Sequence, residues 1–287
     1  MRTGTMLAAA TARGHRVVPR LAGRVHTAMF VNTRGLGRSW SDMCPLGARR
    51  IEMTGVHRVA AAYQWGRQDP SVLALHGWGT DSTTMAAVVN VAVAQGESVI
   101  CFDAPGHGAS PGSQATMAEY VEAVGAVLQH FPSIQTVVAH SLSAIAVVAA
   151  LARSESNGVR SLLLLAPVCS LTGVLDRWAA QRRLPAGVPA LIDKELHRRD
   201  GVTVSHWDIR TLGIDTDLEV CIVHDPQDHS VPVSDAFEIA AGGRAELIEA
   251  PGVGHHGIVS SEQMRAALTS LLATQGLYQS PPRKVVQ

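Results

Sequence analysis

Ser141 stands where a nucleophilic hydroxyl could be presented. The segment Val138-Ala139-His140-Ser141-Leu142-Ser143-Ala144 joins an apolar, β-rich run to an apolar run with helical character. A serine between small residues at such a junction is typical of a nucleophile elbow, a sharp strand-to-helix turn. The turn needs small residues two positions before and after the serine. Glycine is usual at both, and here they are Ala139 and Ser143. Serine also caps helices well, which is the alternative role for Ser141.

Four other segments of the chain carry polar residues where apolar runs end. They are Leu75-His76-Gly77-Trp78-Gly79, the stretch from Phe102 to Ser110, His224–Pro232 and Gly254-His255. With the serine junction, these segments resemble the motifs of the α/β-hydrolase superfamily over roughly residues 50–272. The first is similar to the HGxG oxyanion loop, the second to a structural turn, and the last two to the acid and histidine loops. The chain order Ser, Asp, His is also the order of that fold.

The resemblance implies a catalytic role for three side chains. Ser141 would be the nucleophile, His255 the base that takes its proton, and Asp228 the carboxylate that fixes the imidazole tautomer. The backbone N–H groups of Trp78 and Leu142 would stabilise the oxyanion. No cofactor and no metal is implied.

Two of these assignments leave alternatives. The family pattern GxxDxxVP places the acid three residues before Val-Pro, which favours Asp228 over Asp225. Asp225 stands where the family usually has glycine. His255 follows Gly254 as in the family, which favours it over the adjacent His256. The other histidines of these motifs, at positions 76, 107 and 140, are expected to make structural hydrogen bonds.

The elements that must position these residues alternate along the chain. Short β-rich runs and longer helical patterns indicate an α/β fold, a mostly parallel sheet with helices on both faces, opened by a hairpin over Ile51–Trp65. The expected strands after the hairpin are Ser71–His76, Ser98–Phe102, Thr136–His140, Ser161–Leu165, Leu218–Val223 and Arg244–Ile248. Residues 170–217 lack a strand pattern and predict a helical cap insertion above the carboxyl ends of the strands. Its apolar residues and arginines suggest an apolar pocket with a cationic rim.

The ends of the chain differ from its centre. Seven arginines precede the first acidic residue, Asp42. We therefore expect residues 1–49 to be a leader segment, either packed on the domain or a targeting peptide. Residues 50–275 are expected to form the hydrolase domain, and residues 276–287 a flexible tail.

Composition excludes several classes of protein. Of the 287 residues, 46% are hydrophobic and 17% charged, which is a globular composition. The 24 Lys and Arg balance 24 Asp and Glu, so no strong basic field favours nucleic-acid binding. The apolar runs are shorter than the roughly 18 residues of a membrane span. Four widely spaced cysteines without metal-binding spacing indicate reduced thiols and a cytoplasmic protein. Nothing indicates the oligomeric state.

The sequence thus predicts a serine hydrolase that cleaves a small carboxylic ester, thioester or amide through an acyl-serine intermediate. One alternative is a non-catalytic ligand-binding protein on the same scaffold, because the elbow departs from the usual glycines. Another is a metal site built from histidines and aspartates at residues 224–229 and 255–256, although no HExxH run is present.

Overall fold

One eight-stranded sheet forms the centre of the computed structural model, which describes residues 19–34, 44–154, 158–242 and 245–279. The strands are β1 (Arg49–Glu52), β2 (Ala61–Trp65), β3 (Val72–Leu75), β4 (Val99–Phe102), β5 (Thr136–His140), β6 (Ser161–Leu165), β7 (Glu219–His224) and β8 (Glu246–Glu249). Their order is β1-β2-β4-β3-β5-β6-β7-β8. Strands β3 to β8 are parallel to one another, whereas β1 and β2 form an antiparallel hairpin at one edge, and β2 pairs with β4 in antiparallel fashion. The predicted sheet and its opening hairpin are confirmed.

Helices lie on both faces of this sheet. The helices are α1 (Pro19–Phe30), α2 (Ala86–Ala94), α3 (Met117–His130), α4 (Ser143–Ala152), α5 (Leu171–Gln181), α6 (Val188–Asp200), α7 (Ile209–Leu212), α8 (Val233–Ala241), α9 (Gly254–Gly257) and α10 (Glu262–Gln279). Short 3-10 turns span Ser82–Met85, Val204–His206 and Ile258–Ser260. None of the helices described is both long and apolar enough to cross a membrane.

Alternation along the strands explains the two apolar cores. In β3, Leu73 and Leu75 belong to one cluster of buried residues, whereas Val72 and Ala74 belong to the other. Successive strand residues point to opposite faces, so each cluster covers one side of the sheet. Helices α3, α4 and α8 contribute to the first cluster, and α2 and α10 to the second. Burial on both faces accounts for the uninterrupted apolar runs of the central strands.

A helical cap follows strand β6. Helices α5, α6 and α7 and one 3-10 turn occupy residues 171–212, and no strand lies between 170 and 217. Ser170 begins the cap by accepting a hydrogen bond from the N–H of Gly173, a typical N-terminal helix cap. The predicted cap insertion is confirmed.

Helix α1 packs against helix α6 of the cap. The approach is close at Gly23, where a Cβ atom would lie 3.1 Å from the backbone oxygen of Leu191. Of the predicted leader, residues 1–18 and 35–43 lie outside the described residues. At the other end, α10 continues to Gln279, four residues into the predicted tail, and residues 280–287 lie outside the described residues.

Candidate active site

Ser141 occupies a strained turn between strand β5 and helix α4. Its φ of 60° lies in the left-handed region, which residues with a side chain adopt at an energetic cost. The backbone is held there by hydrogen bonds, two of which link it to strand β6 and to the residues that follow β6. The N–H of Ser141 donates to the carbonyl of Leu165 at 2.9 Å, and its carbonyl accepts from the N–H of Val168 at 3.3 Å. This is the backbone geometry of a nucleophile elbow.

The unusual residues on either side of the serine fit into this turn. Ala139 and Ser143 are both completely buried. The Ser143 hydroxyl donates to the carbonyl of His140 at 2.7 Å, so its polar atom has a partner. The closest approach to the elbow comes from Gly77, where a Cβ atom would lie 2.8 Å from Nδ1 of His140. Only glycine fits at position 77 without a shift.

The structure brings His255 and Asp228 to Ser141. The Nδ1 atom of His255 lies 2.7 Å from Oδ2 of Asp228, and its Nε2 atom lies 3.0 Å from Oγ of Ser141. Because an ionised carboxylate can only accept hydrogen bonds, the Nδ1–H of His255 donates to Asp228. In the neutral ring, Nε2 then accepts a hydrogen bond from the hydroxyl of Ser141. Each residue follows the carboxyl end of a different strand, β5, β7 or β8.

The carboxylate of Asp228 stays ionised in this environment. Burial by itself raises the pKa of Asp228, but hydrogen bonds from His255 and from the N–H groups of Val231 and Ser230 outweigh it, and the net shift is downward. Those backbone donors lie 3.0 and 2.7 Å from Oδ1. A charged Asp228 can orient the imidazole and stabilise its protonated form.

Asp225 lies in the same loop, but its carboxylate accepts hydrogen bonds from backbone N–H groups. Its Oδ1 accepts from the N–H groups of Gln227 and Gly252, and its Oδ2 from that of Gly254 at 2.6 Å. It therefore ties the loop after β7 to the loop that carries His255. The structure places Asp228, and not Asp225, in contact with His255.

His140 also reaches the histidine loop, a contact that the sequence did not suggest. Its Nε2–H donates to the backbone carbonyl of His255 at 2.9 Å. Burial, and after it the neighbouring His255, lowers the pKa of His140 to about 3, so the ring is neutral at pH 7. Further along the same edge of the sheet, His76 accepts from the N–H of Ala104 at 3.0 Å. His256, the residue that follows His255, is exposed at the surface.

Two backbone N–H groups beside the serine are available for an oxyanion. Leu142 stands at the N-terminus of helix α4, where N–H groups have no partner within the helix. Among the described residues, none accepts a hydrogen bond from the N–H of Leu142 or Trp78. The indole of Trp78 donates separately to the carbonyl of Asn32 at 3.1 Å.

A cavity of about 590 Å³ opens above Ser141 and His255. Its walls come from the sheet edge, from the cap and from residues 29–34, at the end of helix α1. The ring of Phe30 meets Trp178 of the cap edge to face, with centroids 5.3 Å apart. Sequence reasoning did not assign residues 29–34 to the site. The available signal was Pro19, a good first residue for a helix, followed by apolar residues at helical spacing.

The alternative metal site has no support in the geometry of the described residues. Among them, no three His, Cys, Asp or Glu side chains are grouped so as to hold a metal ion. All four cysteines are free thiols, and only Cys44 is exposed.

Comparison with known proteins agrees with this architecture. The model of the alpha/beta hydrolase family matches residues 72–268, and the chain belongs to that family. By fold it is similar to an esterase of Pyrococcus furiosus (16% identity, TM-score 0.63, covering 85% of this chain and 97% of that one). It is also similar to mouse alpha/beta hydrolase domain-containing protein 10 (17% identity, TM-score 0.62, covering 81% of this chain and 99% of that one). A third similar structure is Est1E of Butyrivibrio proteoclasticus with bound ferulic acid (18% identity, TM-score 0.59, covering 80% of this chain and 100% of that one). A search of curated proteins found no match. Membership of the family supports a hydrolase that acts on a small molecule.

Proposed function

We propose that the protein is a serine hydrolase that cleaves a carboxylic ester through an acyl-Ser141 intermediate. The observation that carries the proposal is the continuous hydrogen-bonded chain from Ser141 through His255 to Asp228, with the serine at a φ of 60°. A serine hydroxyl is a weak nucleophile until an adjacent base takes its proton, and Nε2 of His255 is in place to do so.

The reaction follows in two halves. Oγ of Ser141 attacks the ester carbonyl as its proton passes to His255, and the protonated ring then donates that proton to the leaving alcohol. Water, deprotonated by His255, attacks the acyl-serine, and the ring returns that proton to Oγ of Ser141 as the acid is released. The N–H groups of Leu142 and Trp78 would stabilise each tetrahedral intermediate, and removing one such donor typically costs about 3 kcal/mol.

The cavity and the relatives favour an ester as the bond that is cleaved. The walls are mostly apolar, the Pyrococcus furiosus relative is described as an esterase, and Est1E has bound ferulic acid. A thioester or amide would use the same steps. The departures at Ala139 and Ser143, which motivated the non-catalytic alternative, are compatible with the elbow because both side chains are small and buried.

A fluorophosphonate probe tests the proposal. The probe should label the wild type on the peptide that contains Ser141, and labelling should be lost in Ser141→Ala but kept in the neighbouring control Ser143→Ala. A panel of p-nitrophenyl esters should be hydrolysed by the wild type and not by Ser141→Ala, and a chelator should not change the rate. Labelling that persists in Ser141→Ala would reject Ser141 as the nucleophile.

A further inference from the structure

One wall of the cavity is formed by helix α5 along its whole length. Leu171, Val174, Trp178 and Gln181 line the cavity at intervals of three or four residues, so they share one face of the helix. The helix begins close to the nucleophile, because the N–H of Val168, three residues earlier, donates to the carbonyl of Ser141.

The cavity therefore leads away from Ser141 towards the end of α5. Arg182 is the residue that ends the helix and also lines the cavity. From residue 171 to residue 182 an α-helix rises about 16 Å. The wall between these positions is mostly apolar, with Phe30 and Trp178 in contact near the far end. A ligand held along this wall would be elongated and largely apolar.

The charged side chains that line the cavity are mostly arginines, and one of them, Arg182, stands at that far end. The fork of Arg177 pairs with both carboxylate oxygens of Asp235 at 3.3 Å, which neutralises it. Asp200 is half-buried near Thr116, and burial raises its pKa. Arg182 has no acidic partner among the described residues, and its guanidinium carbon lies 4.6 Å from the Trp178 ring centroid. Arg34 also lines the cavity, and both Arg34 and Arg182 are exposed.

We propose that the substrate carries an anionic group at the far end of an apolar chain, and that Arg182 binds this group. The proposal rests on the proposed function for the position of the scissile ester, next to Ser141. The guanidinium matches a carboxylate with two parallel hydrogen bonds. Stacking on Trp178 holds the guanidinium in the wall, and its N–H groups remain available at the ring edge. The cavity thus fits an amphipathic ester, apolar along α5 and negatively charged at Arg182.

Binding to the Ser141→Ala variant tests this inference without turnover. The ligands are the monomethyl ester of a linear dicarboxylic acid about 16 Å long, the rise of α5 to Arg182, and the dimethyl ester of the same acid. They differ only in whether the distal end is charged. Calorimetry should show that the monoester binds about tenfold more tightly, the effect expected of one charged hydrogen-bond partner that is partly exposed to solvent. The advantage should shrink as salt is added.

Variants in the Ser141→Ala background assign the effect to Arg182. Arg182→Gln should abolish the preference for the monoester, Arg182→Lys should restore part of it, and the exposed neighbour control Arg183→Gln should keep it. Equal affinity for the two ligands, or a preference that survives Arg182→Gln and disappears in Arg34→Gln, overturns the proposal. Hydrolysis of the neutral diester by the wild type is a separate readout. It tests the proposed function, so the two can fail independently.

Discussion

At the scale of single residues, the two aspartates of the loop after β7 have different tasks. Asp228 contacts the imidazole of His255, whereas Asp225 accepts three backbone hydrogen bonds that join two loops. Burial raises the pKa of Asp225, but the hydrogen bonds from Gln227, Gly254 and Gly252 outweigh it and hold the pKa below its usual value. Removing the charge at either position should therefore have distinct consequences.

Asp228→Asn should slow fluorophosphonate labelling of Ser141 by about 10³-fold or more, because an amide can hold the imidazole in the wrong tautomer. Asp225→Asn should slow labelling far less and should instead lower the free energy of unfolding. Labelling rates and urea unfolding of both variants, measured side by side, check the assignment. It would be wrong if Asp225→Asn were the slower of the two.

The contact of Ser141, His255 and Asp228 could be predicted because the signals of these residues are local. Ser141 follows an apolar run and precedes a helix, and the histidine and aspartate stand in motifs of fixed spacing. The contact from His140 to the carbonyl of His255 has no such signal, because it joins positions 115 apart in the chain. The hydrogen bonds of Asp225 also have no signal in the sequence, because their donors are backbone N–H groups, which almost every residue has.

At the scale of elements, the elbow between β5 and α4 stores strain. Ser141 has a φ of 60°, which glycine adopts without cost. We expect Ser141→Gly to be more stable than Ser141→Ala by about 1 kcal/mol. At the helical position Ser143 the order should reverse, with the glycine variant less stable than the alanine variant by about 0.5–1 kcal/mol. Urea unfolding of the four variants measures both differences. If glycine were more stable than alanine at both positions, or less stable at both, the backbone strain at Ser141 would be contradicted.

The strands and most helices were predictable because burial imposes a pattern. Strand β6 reads SLLLL and is buried throughout, and Thr116 caps the N-terminus of α3 in a capping box with Glu119. Helix α1 was not predicted. Its neighbours in the sequence are rich in arginine, and its buried residues are Gly23 and Thr27, small residues that give no strong apolar signal.

At the scale of the whole molecule, two buried histidines make stability depend on pH. Burial, and after it the neighbouring His255 or His76, lowers the pKa of His140 and of His107 to about 3. In the unfolded chain each binds a proton near pH 6.5. As the pH falls, the unfolded state therefore takes up protons before the folded state does. The contribution of the two histidines to the free energy of unfolding is complete above about pH 6.5 and is lost as the pH falls towards 3.

We expect the free energy of unfolding to fall by about 1.4 kcal/mol per buried histidine between pH 7.5 and 5.5. Urea unfolding at the two pH values measures it. His140→Gln should reduce this fall by about that amount even if the variant is less stable overall, and His57→Gln, at an exposed position, should not. A wild-type stability that does not change over this interval would contradict the expectation.

Residues 29–34 give the cavity a wall that is also connected to the reaction centre. The carbonyl of Asn32 accepts a hydrogen bond from the indole of Trp78, the residue whose backbone N–H is a proposed oxyanion donor, and the buried hydroxyl of Thr33 donates to the carbonyl of Gly106. An occupant too wide for the cavity would push this stretch outward and drag the tryptophan with it. Bulky compounds would then bind less tightly and would also undergo acyl transfer more slowly. The enzyme would thus select its substrates by their width without a separate gating element.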